Sequence, residues 1–274
     1  MPPWALYSVA ILLAVCFSEY LVWMVERWWT GEYYGHGFLI PIISGYIISQ
    51  KRATLKDLPR EGFGVGLPVM ALGLGLHVAA TYLGVNFPSG VAFIIALYGA
   101  VIWLWGWPVA RTVAFPIAYL CFMVPVERLL VDKLAQPMQL WGASTGGRFA
   151  QAIGIPVKIE GTSIQIPDYT FGVAVACSGL KSVISMTALG TLYAYMVVAP
   201  WWKRVVLIIV SLPVALAANV TRIAVTLVLG RIFGGKAAEG FTHTASGVLV
   251  FVFALLGLFL VGSAMGCKQI RDDI

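Results

Sequence analysis

The sequence predicts an all-α polytopic integral membrane protein. Of its 274 residues, 60% are hydrophobic and only 11% are charged, which is more apolar surface than one soluble core of this size can bury. Apolar runs long enough to cross about 30 Å of hydrocarbon recur along the chain. The net charge of +6 does not indicate nucleic acid as a partner, because a chain with many spans uses its cations to set orientation in the bilayer.

About eight apolar segments are candidate transmembrane helices, since a span needs about 20 apolar residues. The second is short, and the fourth and fifth are separated only by Gly106, Trp107 and Pro108. Taken in order, the predicted spans are 4–25, 36–50, 64–83, 88–105, 109–125, 178–198, 205–229 and 244–265.

The positions of lysine and arginine indicate the orientation of these spans, because short cytoplasmic loops carry an excess of these two residues. Lys51, Arg52, Lys56 and Arg60 fill the second connection, which we therefore place inside. Alternation over eight spans then puts both chain termini in the cytoplasm. The further cations that fall inside are Arg111, Lys203, Arg204, Lys268 and Arg271.

The segment 126–176 is the long polar interruption, and we expect it to form a small external cap. Residues 127–153 mix apolar and charged residues as a pair of interfacial helices would. Residues 157–167 alternate with a period of two about Gly161, which predicts a short β-hairpin. We therefore predict one membrane domain over residues 1–274, with 126–176 as its cap.

Cysteine spacing excludes some kinds of site. Cys16, Cys121, Cys177 and Cys267 lie in or beside apolar runs and show no CxxC spacing. This pattern argues against a disulfide framework and against a zinc site. We expect neither a metal nor a cofactor.

Cys177 stands where a strand-like apolar run becomes a predicted membrane helix. The unpaired N–H groups and the dipole at a helix start stabilise thiolate over thiol. Lys181, four residues on, would share a helical face with Cys177 and favour the thiolate further. The alternative is that Cys177 is an inert small hydrophobic residue.

Arg222 and His243 are predicted to lie at the same depth as Cys177. With a helical rise of about 1.5 Å per residue, Arg222 lies roughly 27 Å from the cytoplasmic end of its span. By the same rise, His243 lies roughly 38 Å and Cys177 roughly 33 Å from the cytoplasmic ends of theirs. A thiol, a guanidinium and an imidazole together make a nucleophilic site. Cys177 would attack a carbonyl, Arg222 would stabilise the oxyanion, and His243 would move the proton. Alternatively, Arg222 snorkels to the interface and His243 is an ordinary interfacial histidine.

Four further polar residues are candidates for substrate binding. Asn219 lies one turn before Arg222 and can orient it. His36 is also expected at the outer face. Ser178 and Lys181 follow the predicted nucleophile closely in the chain. The serines at 178, 182 and 185 also recur at a spacing typical of helix packing.

These motifs resemble the core of the exosortases, a family of bacterial membrane cysteine transpeptidase-like enzymes, in order and in spacing. The resemblance extends over most of the chain. The segments that carry it are Cys177 to Ser182, Asn219 to Ile223, His243 with Gly247 and Phe251, Tyr34 to Pro41, Phe122 to Pro125, and the Glu160-Gly161 hairpin.

The resemblance implies substrates anchored in the membrane by a C-terminal sorting signal, made of a Pro-Glu-Pro motif, a transmembrane helix and a basic tail. It implies Cys177, Arg222 and His243 as the catalytic set and a thioester acyl-enzyme. The acyl acceptor is not identified.

The resemblance also implies a host and a location, namely the inner membrane of an exopolysaccharide-producing Gram-negative bacterium, with the site facing the periplasm. We expect a stand-alone form without the C-terminal domain fused to some relatives. The rival interpretations are a transporter and a non-catalytic scaffold for exopolysaccharide export, which Cys177→Ala distinguishes from an enzyme.

Overall fold

The computed structural model describes residues 3–31, 33–62, 64–166, 169–172, 179–234 and 241–271. The chain divides into two compact units, one ending at Arg128 and one beginning at Leu129. Two compact halves do not decide whether a chain folds as one membrane domain, so the single domain stays a prediction.

The regular elements among the described residues of the first unit are all helices. Its first two helices form one bent element, with an angle of 69° at the break between Cys16 and Ser18. Short 3₁₀ turns at Gly35–Phe38 and Leu120–Met123 complete the unit. The helices are α1 (Pro3–Cys16), α2 (Ser18–Thr30), α3 (Leu39–Gln50), α4 (Arg52–Asp57), α5 (Gly66–Tyr82), α6 (Phe87–Trp105), α7 (Trp107–Thr112) and α8 (Ala114–Tyr119).

Helices α5 and α6 pack backbone to backbone. A Cβ atom built on Gly73 would lie 2.6 Å from the Ala96 nitrogen and 2.7 Å from the Ala92 oxygen. One built on Gly99 would clash with the Met70 nitrogen. Small residues permit such an approach, and in a membrane close packing is a main source of helix association.

Gly73→Ala should destabilise the protein by about 1–3 kcal/mol, because the added methyl group forces α5 and α6 apart. Gly75 on the same helix is the matched control, since a Cβ there meets nothing within 4 Å. Gly75→Ala should leave stability unchanged or raise it by up to about 1 kcal/mol through helix propensity. Thermal unfolding of both purified variants in one detergent measures the difference. Equal midpoints would contradict the close α5–α6 contact.

The second unit combines helices with a small sheet. Strand β2 pairs antiparallel with both neighbours, in the order β1-β2-β3. The elements are α9 (Arg128–Ala152), β1 (Lys158–Glu160), β2 (Ser163–Ile166), β3 (Tyr169–Gly172), α10 (Leu180–Met196), α11 (Trp201–Phe233) and α12 (Phe241–Ala264).

The predicted hairpin is confirmed, and the predicted helix pair is wrong. Strands β1 and β2 pair Glu160 with Ser163 across a turn in which Gly161 has a φ of +61°. In place of two helices within 127–153, the structure has one helix of 25 residues, α9 (Arg128–Ala152), which continues through Pro137. Pro137 lies ten residues into the helix, so the break that mixed polarity suggested does not occur.

Helix α11 is the axis of the second unit, because it packs against both α10 and α12. Its first half joins a core with α10 and α12 through residues such as Leu207, Met186 and Leu258. Its second half joins a different core, formed with α9 and the sheet, through Ile223 and Leu227. The cap segment therefore packs on the later part of α11.

Positively charged side chains collect at one end of this helical bundle. The chain after α12 pairs with the α10–α11 connection, where the Val198 nitrogen donates to the Gln269 oxygen at 2.8 Å. This pairing brings the cations Lys203, Lys268 and Arg271 to one end, as the orientation argument requires. Because α10 and α12 finish at that end, they begin at the opposite one.

The predicted count of eight spans is not confirmed. Within the described ranges, three helices are long and apolar enough to cross a membrane, namely Phe87–Thr112, Trp201–Phe233 and Gly247–Ala264. The bent pair α1–α2 raises the number to four if it counts as one span. Helix α5, with 17 residues, is shorter.

The predicted span 109–125 is divided among α7, α8 and a 3₁₀ turn. Gly106 has a φ of +85°, yet the apolar helix that precedes it continues to Thr112 after this break. The predicted boundary at Gly106 to Pro108 is therefore in the wrong place. The chain is an α-helical membrane protein, and its described residues contain three or four full-length spanning helices.

Candidate active site

The candidate site is centred on one face of α11. Asn219 and Arg222 are three residues apart, so they are neighbours on the helix surface. Asn219 is only 3% exposed, and Arg222 is half-buried. With 33 residues, α11 is about 50 Å long, and Arg222 lies about 32 Å along it from Trp201. That distance is close to the thickness of the hydrocarbon core, so Arg222 lies near the end of the spanning part.

Arg222 and Asn219 line a narrow cleft between α10, α11 and α12. The cleft has an empty volume of about 240 Å³, including its open side. Its walls leave room for about one water-sized group, so it suits an atom or a small group of a larger ligand. Three polar residues and six apolar residues or glycines line it. The lining residues are Ser182, Met186, Ala218, Asn219, Arg222, Gly247, Val250, Phe251 and Ala254.

Gly179 connects this cleft to the segment that contains Cys177. It is the residue before α10, is buried, and has a φ of +84°. Its carbonyl accepts a hydrogen bond of 2.9 Å from the Val183 nitrogen. A Cβ built on Gly179 would lie 2.9 Å from both Cγ and Nδ2 of Asn219. Only glycine combines this backbone conformation with so close a contact.

Gly179→Ala should destabilise the protein more than Gly154→Ala. Both glycines have positive φ, +84° and +87°, so each alanine carries the strain of about 1–2 kcal/mol for a left-handed residue. A Cβ on Gly154 meets nothing within 4 Å, whereas one on Gly179 meets the Asn219 carboxamide. We expect a further 1–3 kcal/mol or so from overpacking at Gly179. Thermal unfolding of the two variants tests this, and a smaller loss at Gly179 would contradict it.

Helix α12 approaches Arg222 through Gly247. A Cβ built on Gly247 would lie 3.7 Å from Nη1 of Arg222 and 3.8 Å from its Cδ. These are ordinary van der Waals distances, so the Cβ of an alanine fits there. The guanidinium therefore lies against the backbone of α12.

Helix α9 closes the site on its other side, which the sequence interpretation missed. A Cβ on Gly142 would lie 3.6 Å from Nδ2 of Asn219, and one on Gly146 would lie 2.7 Å from Cγ2 of Ile223. Asn219 is thus held between α9 and the Gly179 turn. The spacing of four between these glycines is typical of close helix contacts and could have revealed α9 as a partner of α11.

The predicted site residues meet different outcomes. Arg222 and Asn219 lie together, as expected. Cys177 and Ser178 lie outside the described residues. His243 belongs to the first turn of α12, four residues before Gly247, and its side chain also lies outside the described part.

The predicted relation of Lys181 to Cys177 stays a prediction, because Cys177 lies outside the described residues. Helix α10 begins at Leu180, and Gly179 before it is left-handed. A regular right-handed helix cannot run through such a residue, so α10 does not extend back beyond Leu180. Lys181 is exposed in the first turn of α10.

His36 belongs to the first unit. It lies in the 3₁₀ turn Gly35–Phe38, is half-buried, and its ring centroid is 6.2 Å from that of Tyr34. Its predicted role in substrate binding stays a prediction. Among the described residues, no group of three or more His, Cys, Asp or Glu side chains could hold a metal ion.

Comparison with known proteins gives one match. A family model described as a transmembrane exosortase matches residues 28–260, which is most of the chain. No curated protein and no solved structure matches.

Proposed function

Because the chain belongs to the transmembrane exosortase family, we propose that it is a cysteine peptidase or transpeptidase embedded in the membrane. Its substrates are membrane-anchored proteins with a C-terminal sorting signal, made of a Pro-Glu-Pro motif, a transmembrane helix and a basic tail. It cleaves near that motif and transfers the released acyl group to water or to an acceptor nucleophile.

The observation that supports this proposal is the cleft at Arg222, which the elements next to Cys177 and His243 both reach. Cys177 is two residues before Gly179 in the chain, so their Cα atoms are within about 7 Å of each other. Gly179 packs on Asn219, which lines the cleft. On α12, His243 is one turn from Gly247, which contacts Arg222.

The chemistry begins with attack by Cys177. Its thiolate forms a bond to the carbonyl carbon of the scissile peptide, and the carbonyl electron pair moves to oxygen. Arg222 stabilises this oxyanion by charge-assisted hydrogen bonds, which are shorter and stronger than neutral ones.

His243 completes the cycle as general acid and base. As the tetrahedral intermediate collapses, the C–N bond breaks and His243 gives a proton to the leaving amine. This leaves a thioester on Cys177. His243 then accepts a proton from water or from an acceptor amine, whose attack on the thioester releases the product and restores the thiolate.

The proposed enzyme spans the bacterial inner membrane about eight times and opens its site to the periplasm. Shorter helices such as α5 and α10 also cross in this arrangement. The cations at the end of the bundle away from Arg222 support the orientation.

The function is tested with a reporter protein that carries the three-part signal at its C-terminus. Co-expression with this protein should shorten the reporter by the length of the signal, and mass spectrometry of the released chain locates the cut. A reporter whose Pro-Glu-Pro motif is replaced by alanines is the control and should stay full length. Equal processing of both, or of neither, would contradict the proposal.

Lys158→Cys and Lys56→Cys should be labelled from opposite sides of the membrane. Both variants are made in a chain whose four native cysteines are replaced. The Lys158 side chain is 73% exposed, and its ion pair with Glu160 is a surface contact whose loss costs little. An impermeant maleimide should label Lys158→Cys in intact spheroplasts, and Lys56→Cys only after lysis. The reverse pattern would invert the orientation.

A further inference from the structure

We propose that Ser182 is a second catalytic hydrogen-bond donor, whose hydroxyl binds the substrate oxyanion together with Arg222. This inference rests on the proposed function and names a residue that sequence reasoning had assigned to helix packing. It follows from the size and the lining of the cleft.

The size of the cleft limits what binds in it. Ser182 of α10 and Arg222 of α11 line the same cleft, which has room for about one water-sized group. A group that fits there is enclosed by walls that include both residues. A carbonyl oxygen has that size, whereas the side chain of a bulky residue does not.

The chemistry of the walls favours an oxygen as the occupant. Ser182 can donate one hydrogen bond, and the guanidinium of Arg222 can donate several. Met186 and Phe251 are among the apolar residues that line the same cleft, and apolar surroundings strengthen hydrogen bonds to a developing negative charge.

The position of the cleft is consistent with a substrate carbonyl bound to Cys177. Ser182 lies in the first turn of α10, three residues after Gly179. The Gly179 turn packs on Asn219 at the wall of the cleft. In this proposal the acyl carbon on Cys177 lies beside this turn, with its oxygen directed toward Ser182 and Arg222.

The step that Ser182 assists involves no proton transfer from the serine. When the Cys177 sulfur bonds to the carbonyl carbon, the π electron pair moves to oxygen, and the hydroxyl of Ser182 donates a hydrogen bond to that oxygen. When the C–N bond breaks, the carbonyl re-forms and the hydroxyl keeps its hydrogen.

The test is single-turnover cleavage of the reporter by the full-length enzyme in detergent. Ser182→Ala should slow cleavage by about 10- to 100-fold, which is less than the usual cost of about 10²- to 10³-fold for a lost oxyanion donor, because Arg222 remains. Reporter binding and the rate of Cys177 alkylation by iodoacetamide should stay unchanged. Ser182→Thr keeps the hydroxyl and should recover most of the rate. Ser185→Ala is the control on the same helix and should cleave normally.

Each outcome decides the proposal. Cleavage by Ser182→Ala within about twofold of the native rate would overturn it. An equal loss in Ser182→Ala and Ser182→Thr, or a parallel loss in Ser185→Ala, would also overturn it and assign the effect to packing of α10. Failure of the native enzyme to cleave would instead contradict the proposed function.

Discussion

Cys177→Ala should abolish cleavage of the reporter while the protein still accumulates in the membrane. Loss of a nucleophile costs roughly 10⁶-fold in the turnover of serine proteases, so no product should be detectable. Alanine removes only the sulfur, and the residue lies before the first residue of α10, so we expect little effect on folding. The measurement is the ratio of short to full-length reporter, normalised to enzyme level.

The matched control removes the other thiols. Cys16 and Cys121 are exposed free cysteines, and Cys267 is buried. Replacing these three and keeping Cys177 should leave cleavage intact, apart from a modest stability loss at Cys267. If Cys177→Ala still processes the reporter, the cysteine mechanism is wrong. If the Cys177→Ala variant also keeps exopolysaccharide export intact, a scaffold or a transporter becomes the better interpretation.

Arg222→Lys should fold normally and cleave about 10²- to 10³-fold more slowly, the usual cost of a lost oxyanion donor. Lysine keeps the positive charge but loses the planar fork of donors. In the native protein the guanidinium lies against Gly247 of α12 and faces the cleft. The single ammonium group of lysine cannot lie against Gly247 and also present several donors to the cleft. Single-turnover cleavage and thermal unfolding of the same sample separate chemistry from stability.

Arg231→Lys is the control for the charge change on the same helix. Arg231 is exposed in the last turn of α11, nine residues beyond Arg222, and does not line the cleft. Its substitution should change neither cleavage nor unfolding. Near-normal cleavage by Arg222→Lys would remove Arg222 from the catalytic set. A large fall in its unfolding midpoint would indicate a structural role.

Parts of the fold follow from local patterns in the sequence. The alternation around Gly161 predicts the β1–β2 hairpin, because a period of two and a turn glycine are local properties. The long apolar run at 205–229 lies within the observed α11, and the run at 244–265 matches α12 to within one residue at its end. Hydropathy fails where helices break inside apolar sequence, as between α7 and α8, because both sides of the break remain equally apolar.

The site is less accessible to sequence reasoning, since its contacts join residues far apart in the chain. Helical rise alone predicts that Arg222 and His243 belong to one end of the bundle. It does not reveal that Gly179 takes a positive φ, which places the start of α10 at Leu180. Nor does it show that Gly142 of α9 packs on Asn219, because a glycine's neighbours depend on tertiary packing.

Trapping the acyl-enzyme tests the central claim most directly. Native enzyme and reporter are mixed, quenched in acid within a turnover, digested and analysed by mass spectrometry. The account predicts a thioester that joins the new C-terminus of the reporter to Cys177, that neutral hydroxylamine removes, and that is absent in Cys177→Ala. Cleavage without this adduct, or an adduct on Cys16, Cys121 or Cys267, would contradict the account.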